Sequence, residues 1–317
     1  MDVLAGFLNG PRARGAFLLR SVMDPPWSLR IRDEAPLTIA AVVRGDAWVS
    51  YDDDEPAVLG PGDVALLRGP DHYTVADSPD TPPQVIIHPG QVCTTVDGVS
   101  VAESMSQGVR TWGNAAGGST VVLTGTYDGD GEISRRLVDA LPRLIVLRPE
   151  EWDCPFVPLL AEEIGKDDIG QEAVLDRLLD LLVVAALRTW FARADTPAWF
   201  HAHTDPVVGH ALRLLHNNPA YPWTVASLAA EVAVSRAALA RRFTDLVGES
   251  PMALLTGWRL TLAADLLLEP DATVGAVARR VGYSSPFTFS TAFKRHYGTS
   301  PRGHRRRAMD LAASATG

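Results

Sequence analysis

Two hydrophobic periods divide this chain. Up to about residue 147, apolar residues come in short alternating or clustered runs, the spacing of half-buried or core strands. Residues 15–19, 37–43, 47–51, 57–59, 63–67, 73–76 and 84–87 read as strands. Turn-rich stretches part them: Asp24-Pro-Pro26, Arg44-Gly-Asp46, Asp52-Asp-Asp-Glu-Pro56, Gly60-Pro-Gly62 and 77–83. Residues 121–127 and 144–147 add late strands, with a short helix over 134–141 between them and another over 1–10. Short strands with turn signals at this frequency predict an all-β sandwich or barrel. From Pro155 the period lengthens. Phe156, Leu159, Leu160 and Ile164 share one helical face. Val174, Leu175, Leu178, Leu182, Ala185, Ala186 and Trp190 continue it over a second helix, 171–191.

The region 223–307 carries one pattern twice. Thr224-Val-Ala-Ser-Leu-Ala-Ala-Glu-Val-Ala-Val-Ser235 aligns with Thr273-Val-Gly-Ala-Val-Ala-Arg-Arg-Val-Gly-Tyr-Ser284. With one residue inserted in the second copy, Ser235, Leu239 and Phe243 then align with Ser285, Phe289 and Phe293, and Gly248-Glu-Ser-Pro251 with Gly298-Thr-Ser-Pro301. Such a repeat implies two copies of one supersecondary unit. Each copy reads as helix-turn-helix: Thr224 or Thr273 caps a short helix, and Ser235 or Ser285 caps the next. Pro286 takes the favoured first helical position, and Gly248 and Gly298 suit left-handed helix ends. Residues 251–268 read as one connecting helix, about 27 Å long at ~1.5 Å per residue. That length suits two recognition helices in successive major grooves, about 34 Å apart.

The pattern Ser235-x3-Leu239-x-Arg241-x-Phe243, Gly248-x-Ser-Pro251, Arg259-x3-Ala263, Val281-Gly282-Tyr283, Phe289-x3-Phe293-Lys294 and Gly298-x-Ser-Pro301 resembles the AraC/XylS family of transcription regulators over about residues 205–307. Two positions depart from it. Ala233 stands where the family has a turn glycine, and His304 where an aromatic residue precedes the closing Arg305. The resemblance implies double-stranded promoter or operator DNA as partner, a homodimer, and RNA polymerase as a further candidate partner.

Charge sharpens the division. Residues 205–317 hold 13 Lys/Arg against 8 Asp/Glu, whereas residues 1–204 hold 16 against 30. A basic rear and an acidic front suit one half that approaches phosphates and one that avoids them. The start of the chain lacks the basic region of a signal peptide. The longest apolar run, 178–187, is broken by Asp180 and too short to span a bilayer. Cys93 and Cys154 are too few for a disulfide scaffold, so a cytoplasmic location is expected.

Leu59-Gly-Pro-Gly62-Asp63, an apolar strand, then Gly69-Pro70-Asp-His72 resembles the second conserved stretch of cupin barrels. Regulators of the AraC family often carry such a barrel in front, where it binds an effector. Catalytic cupins need three or more metal ligands, and only His72 aligns here; no metal or other cofactor is expected. His72 reads as a hydrogen-bonded structural or pocket residue. His88-Pro-Gly-Gln-Val-Cys93 offers two readings, a thiol with lowered pKa or a small buried hydrophobe. His72, His88 and Cys93 are the sensor candidates. The helical pair near 151–193 packs on the barrel, forms the dimer seam the resemblance implies, or both.

With Leu239 and Phe243 inward, helical geometry turns Ala237, Arg241 and Thr244 outward, with Arg236 and Ala240 on the flanks. In the second copy Phe287, Thr291 and Lys294 face out, beside Pro286 and Arg295. Arg241 suits a guanine edge and Phe287 a thymine methyl, with packing on a neighbouring helix as the alternative for Phe287. Lys294, Arg295 and Arg305–Arg307 suit phosphates. The expected fold is α+β: a cupin-like barrel over 1–150, a helical hairpin over 151–193, a linker over 194–204, an all-α domain with two helix-turn-helix motifs over 205–307, and a tail over 308–317. The expected function is a sequence-specific, non-enzymatic transcription regulator controlled by a small-molecule or redox signal. The alternative is a metal-dependent cupin enzyme fused to a DNA-binding domain.

Overall fold

A computed structural model describes residues 17–127, 138, 139, 141–152, 154–193, 202 and 205–307. The expected helix over 1–10, most of that over 134–141, nearly all of the 194–204 linker and the 308–317 tail lie outside these residues. The described residues fall into two compact units that part after Arg193.

The first unit is two facing sheets. One has the order β10-β11-β1-β12-β3-β6-β13, formed by Ser106–Gly108, Thr111–Trp112, Phe17–Met23, Thr120–Tyr127, Leu37–Arg44, Val64–Arg68 and Leu144–Leu147. The other has the order β5-β4-β7-β2-β8-β9, formed by Ala57–Leu59, Ala47–Tyr51, Tyr73–Ala76, Ser28–Ile31, Val85–His88 and Val92–Thr95. Between them lies a core that includes Trp27, Val42, Val49, Leu67 and Trp112. The strand Leu37–Arg44 is apolar on both faces because both are covered: Ala40 and Val42 point into that core, and Ile39 points the other way. Helix α1, Phe156–Glu163, and helix α2, Gln171–Phe191, close the outer face. Gly125 lets α2 approach, since a Cβ there would stand 2.6 Å from Leu179 Cδ1.

Four strands escaped the sequence reading: β2, β9, β10 and β11. Each has four residues or fewer, and β2 and β11 pair in parallel with distant partners, Val85–His88 and Phe17–Met23. No local turn signals such pairings. The expected face of α1 is also shifted: Val157, Leu160 and Ile164 are buried while Leu159 is exposed. In α2, Leu175, Leu179, Leu182, Ala186 and Phe191 are buried, whereas Val174 and Leu181 are 46% and 48% exposed. The helix therefore has two apolar stripes where one was expected.

The second unit is helical: α3, Val208–Asn217; α4, Val225–Glu231; α5, Arg236–Val247; α6, Pro251–Leu266; α7, Val274–Arg280; α8, Pro286–Tyr297. A last helical stretch covers 301–307. The expected caps Thr224, Ser235, Thr273 and Ser285 accept backbone N–H groups, Thr224 within a capping box with Ser227, and Ser250 adds a cap that the sequence reading did not name. The connecting helix α6 has 16 residues rather than the expected eighteen. The residue before Pro270 is disfavoured in helical geometry, so the chain leaves the helix early. Its length is about 24 Å at ~1.5 Å per residue.

Candidate nucleic-acid interface

Each helix-turn-helix is built on its own apolar anchors. Leu239 and Phe243 pack with Leu212, Leu215, Leu228 and Val232; Phe289 and Phe293 pack with Leu260, Ala264, Val277 and Val281. Burying these faces turns the opposite faces of α5 and α8 to solvent. Arg236, Ala237, Arg241 and Thr244 are exposed on α5, with Ala240 half-buried beside them. On α8, Pro286, Phe287, Thr291, Lys294 and Arg295 are exposed. Phe287 is 81% exposed, so packing on a neighbouring helix does not describe it. The turn between α4 and α5 holds Ala233 at φ +57, where the matching turn between α7 and α8 has Gly282 at φ +87.

The neighbouring arginines have different surroundings. Arg242 donates from Nε and Nη2 to Asp205, at 3.0 and 2.5 Å. Asp205 also accepts the N–H groups of Val207 and Val208, ahead of α3. Burial opposes ionisation there, but the Val208 N–H and Arg242 hold its carboxyl below the usual range. Among the described residues no carboxylate engages Arg241, leaving its guanidinium to face outward. Arg305, expected to suit phosphate, donates to the carbonyls of Ala272, Glu269 and Pro270 and so holds the loop after α6. His304 takes the aromatic place it was compared with, its ring 5.5 Å from Phe293 and 5.8 Å from Tyr297. Sequence reasoning placed Arg259 in the family pattern without giving it a role; half-buried on α6, it donates to the carbonyls of Pro219 and Tyr221. The signals for a role were its place in that pattern and its being a lone cation within an apolar helix.

The three sensor candidates do not gather into one site. His72 is exposed and has no hydrogen bond among the described residues, which corrects the bonded pocket residue expected. His88 meets Thr94 Oγ1 at 2.9 Å, not the thiol. Cys93 lies opposite Ile87 and packs against the core between the sheets. Burial pushes its thiol up, so the lowered-pKa reading is corrected. Asp63 of the Pro-Gly-Asp turn is buried, bonded by Gly60 N–H at 2.7 Å and paired with Arg148. Among the described residues no three His, Cys, Asp or Glu stand together as metal ligands. The core between the sheets is aromatic, with Trp27, Tyr51, Tyr73 and Trp112. The indole N–H groups of Trp27 and Trp112 are buried without a hydrogen-bond partner among the described residues. Burial pushes the phenols of Tyr51 and Tyr73 up, so both stay neutral. No helix among the described residues is long and apolar enough to cross a membrane.

Comparison with known proteins agrees with this geometry. A family model described as Cupin matches residues 2–192, and one described as Helix-turn-helix domain matches residues 228–307. An AraC-like transcription regulator of Streptomyces lividans is 31% identical over 313 residues, 96% of this chain and 98% of that protein. The HTH-type transcriptional regulator AlkR of Acinetobacter baylyi is 27% identical, over 97% of this chain and 100% of its own. The RCS-specific HTH-type transcriptional activator RclR of Escherichia coli is 30% identical over 201 residues, 61% of this chain and 70% of its own. A cupin-type front, a doubled helix-turn-helix rear and relatives that align end to end lead to one assignment: the chain belongs to the AraC family of transcription regulators.

Proposed function

We propose that the protein is a cytoplasmic, non-enzymatic regulator that reads two short DNA boxes per protomer. Helix α5 reads one box and α8 the other. Arg241 addresses a guanine edge and Phe287 a thymine methyl; Ala237, Ala240, Thr244 and Thr291 complete the base-facing rows. Arg236, Pro286, Lys294 and Arg295 lie at the flanks, the cations against phosphates. The observation that carries this reading is the pair of outward rows on two helices joined by a 16-residue rod.

The front unit is the controller, and a small molecule is the favoured signal. The buried indole donors of Trp27 and Trp112, without partners among the described residues, would suit an effector with acceptor atoms. A redox signal through Cys93 is the second reading, favoured by the name of the RCS-specific relative and opposed by the raised thiol pKa. We propose a homodimer joined through the outer stripe of α2, Val174, Leu178, Leu181 and Ala185, whose 4-3-4 spacing suits a helix pair. Glu172 in its first turn and Arg188 in its last would oppose each other in an antiparallel pair. RNA polymerase is the further partner at a promoter.

The test is selection of duplexes from a random pool by the purified full chain, with and without hypochlorite. Enrichment of a two-box sequence supports the reading, and binding without sequence preference rejects it. Loss or gain of that binding on oxidation in the wild type, absent in Cys93→Ser, would favour the redox signal.

A further inference from the structure

The two helix-turn-helix units have separate cores, one around Leu239 and Phe243 and the other around Phe289 and Phe293. A shared rod sets how far apart they stand. The angle between them about its axis follows from how each core packs on the rod, through Leu255 in one and Leu260, Ala263 and Ala264 in the other. A contact that spans both helix-turn-helix units braces that angle, and the structure has one.

Arg259 lies midway along α6. Its Nε donates to the Pro219 carbonyl at 2.6 Å and its Nη2 to the Tyr221 carbonyl at 2.8 Å. Both carbonyls belong to the loop between α3 and α4, beside the first helix-turn-helix. That loop is stiffened by Trp223 Nε1 donating to the Asn218 carbonyl at 3.0 Å, and by the Tyr221 and Trp223 rings, 4.5 Å apart. The same loop presses on the turn of the second unit. A Cβ on Gly282 would stand 2.8 Å from Ala220 Cα and 2.9 Å from Arg259 Nη2. At φ +87 and this distance, only glycine fits. Arg259, Ala220 and Gly282 thus meet where the rod and the two helix-turn-helix motifs touch.

We propose that Arg259 is a positioning residue: with the Ala220–Gly282 contact it sets the angle between the two reading helices, and so the spacing of the DNA boxes the protein accepts. This rests on the two-box reading above. Linked binding sites gain from each other only when the linker lets both engage at once. One base pair of added spacing turns the second box by about 35° and moves it along the axis. A braced pair of heads cannot follow that change, whereas an unbraced pair can. Lysine cannot replace the brace, because one ammonium lacks the rigid fork that reaches two carbonyls.

The experiment uses the full chain and a two-box duplex that the wild type has itself selected from a random pool. The duplex is rebuilt with spacing shortened or lengthened by one and two base pairs, and with either box scrambled. Wild type should favour its own spacing over a one-base-pair change by about tenfold or more. Arg259→Gln should bind each one-box duplex within about twofold of wild type, while its spacing preference falls to about threefold or less. Arg259→Lys should shift the same way, and it decides the matter if Arg259→Gln does not fold. A folded variant that keeps the wild-type spacing preference overturns the proposal. So does parallel weakening on one-box and two-box duplexes, which marks lost fold or lost charge. If the wild type selects no two-box duplex, the two-box reading itself has failed.

Discussion

Arg241 and Arg242 are adjacent in sequence, yet only one is free to read a base. Arg242 is tied to Asp205, a pair exposed on the arginine side and largely covered on the carboxylate side. Arg241 points out from the face opposite Leu239. Arg241→Ala should cost about 1–3 kcal/mol on a selected duplex and relax preference at one base, read by titration against single-base variants. Equal weakening on every variant would assign Arg241 to phosphate. Ala233 is the second informative residue. A Cβ at φ +57 costs about 1–2 kcal/mol, partly offset by the greater chain entropy that glycine loses on folding. Ala233→Gly should therefore stabilise the helical unit by about 0.5–1 kcal/mol, seen as a raised midpoint in thermal or urea unfolding. An unchanged or lowered midpoint would show the turn is unstrained. The caps and Ala233 were legible because their chemistry is local. His72 and Cys93 were not, because the exposure of one and the burial of the other are set by how the strands pack.

At the scale of elements, α2 shows what periodicity can and cannot say. The spacing of Leu175, Leu182 and Ala186 was readable, and those residues are buried. Val174, Leu178 and Leu181 were readable as apolar but not as a separate stripe, because only the position of the sheet tells the two faces apart. Leu181→Asp lies on the outer stripe and should leave the protomer folded, with any loss of unfolding midpoint limited to that expected from losing the partner. It should weaken self-association at least about tenfold, since a buried leucine contributes ~1.5–3 kcal/mol. Sedimentation of both proteins over a concentration series checks this; an unaltered dimer would place the seam elsewhere. The helix-turn-helix units were legible because a repeat aligns its own copies. The edge strands β10 and β11 were not, because each is too short to carry a period.

At the scale of the whole molecule, the charge division and the doubled motif give one account. The rear can approach phosphates and the acidic front is repelled by them, so affinity should fall steeply as salt rises. Residues 205–317 carry both half-cores and should fold alone and prefer a selected duplex over a scrambled one. A folded fragment without that preference would move specificity to the front unit. The doubled rear was plain in the sequence; the brace at Arg259 was not, because it joins carbonyls some forty residues away. The central claim is that one protomer reads two boxes, and hydroxyl-radical footprinting of the full chain on its selected duplex tests it most directly. The account predicts two protected boxes per protomer, about one helical turn apart on one side of the DNA. A single contiguous protected stretch per protomer would contradict it.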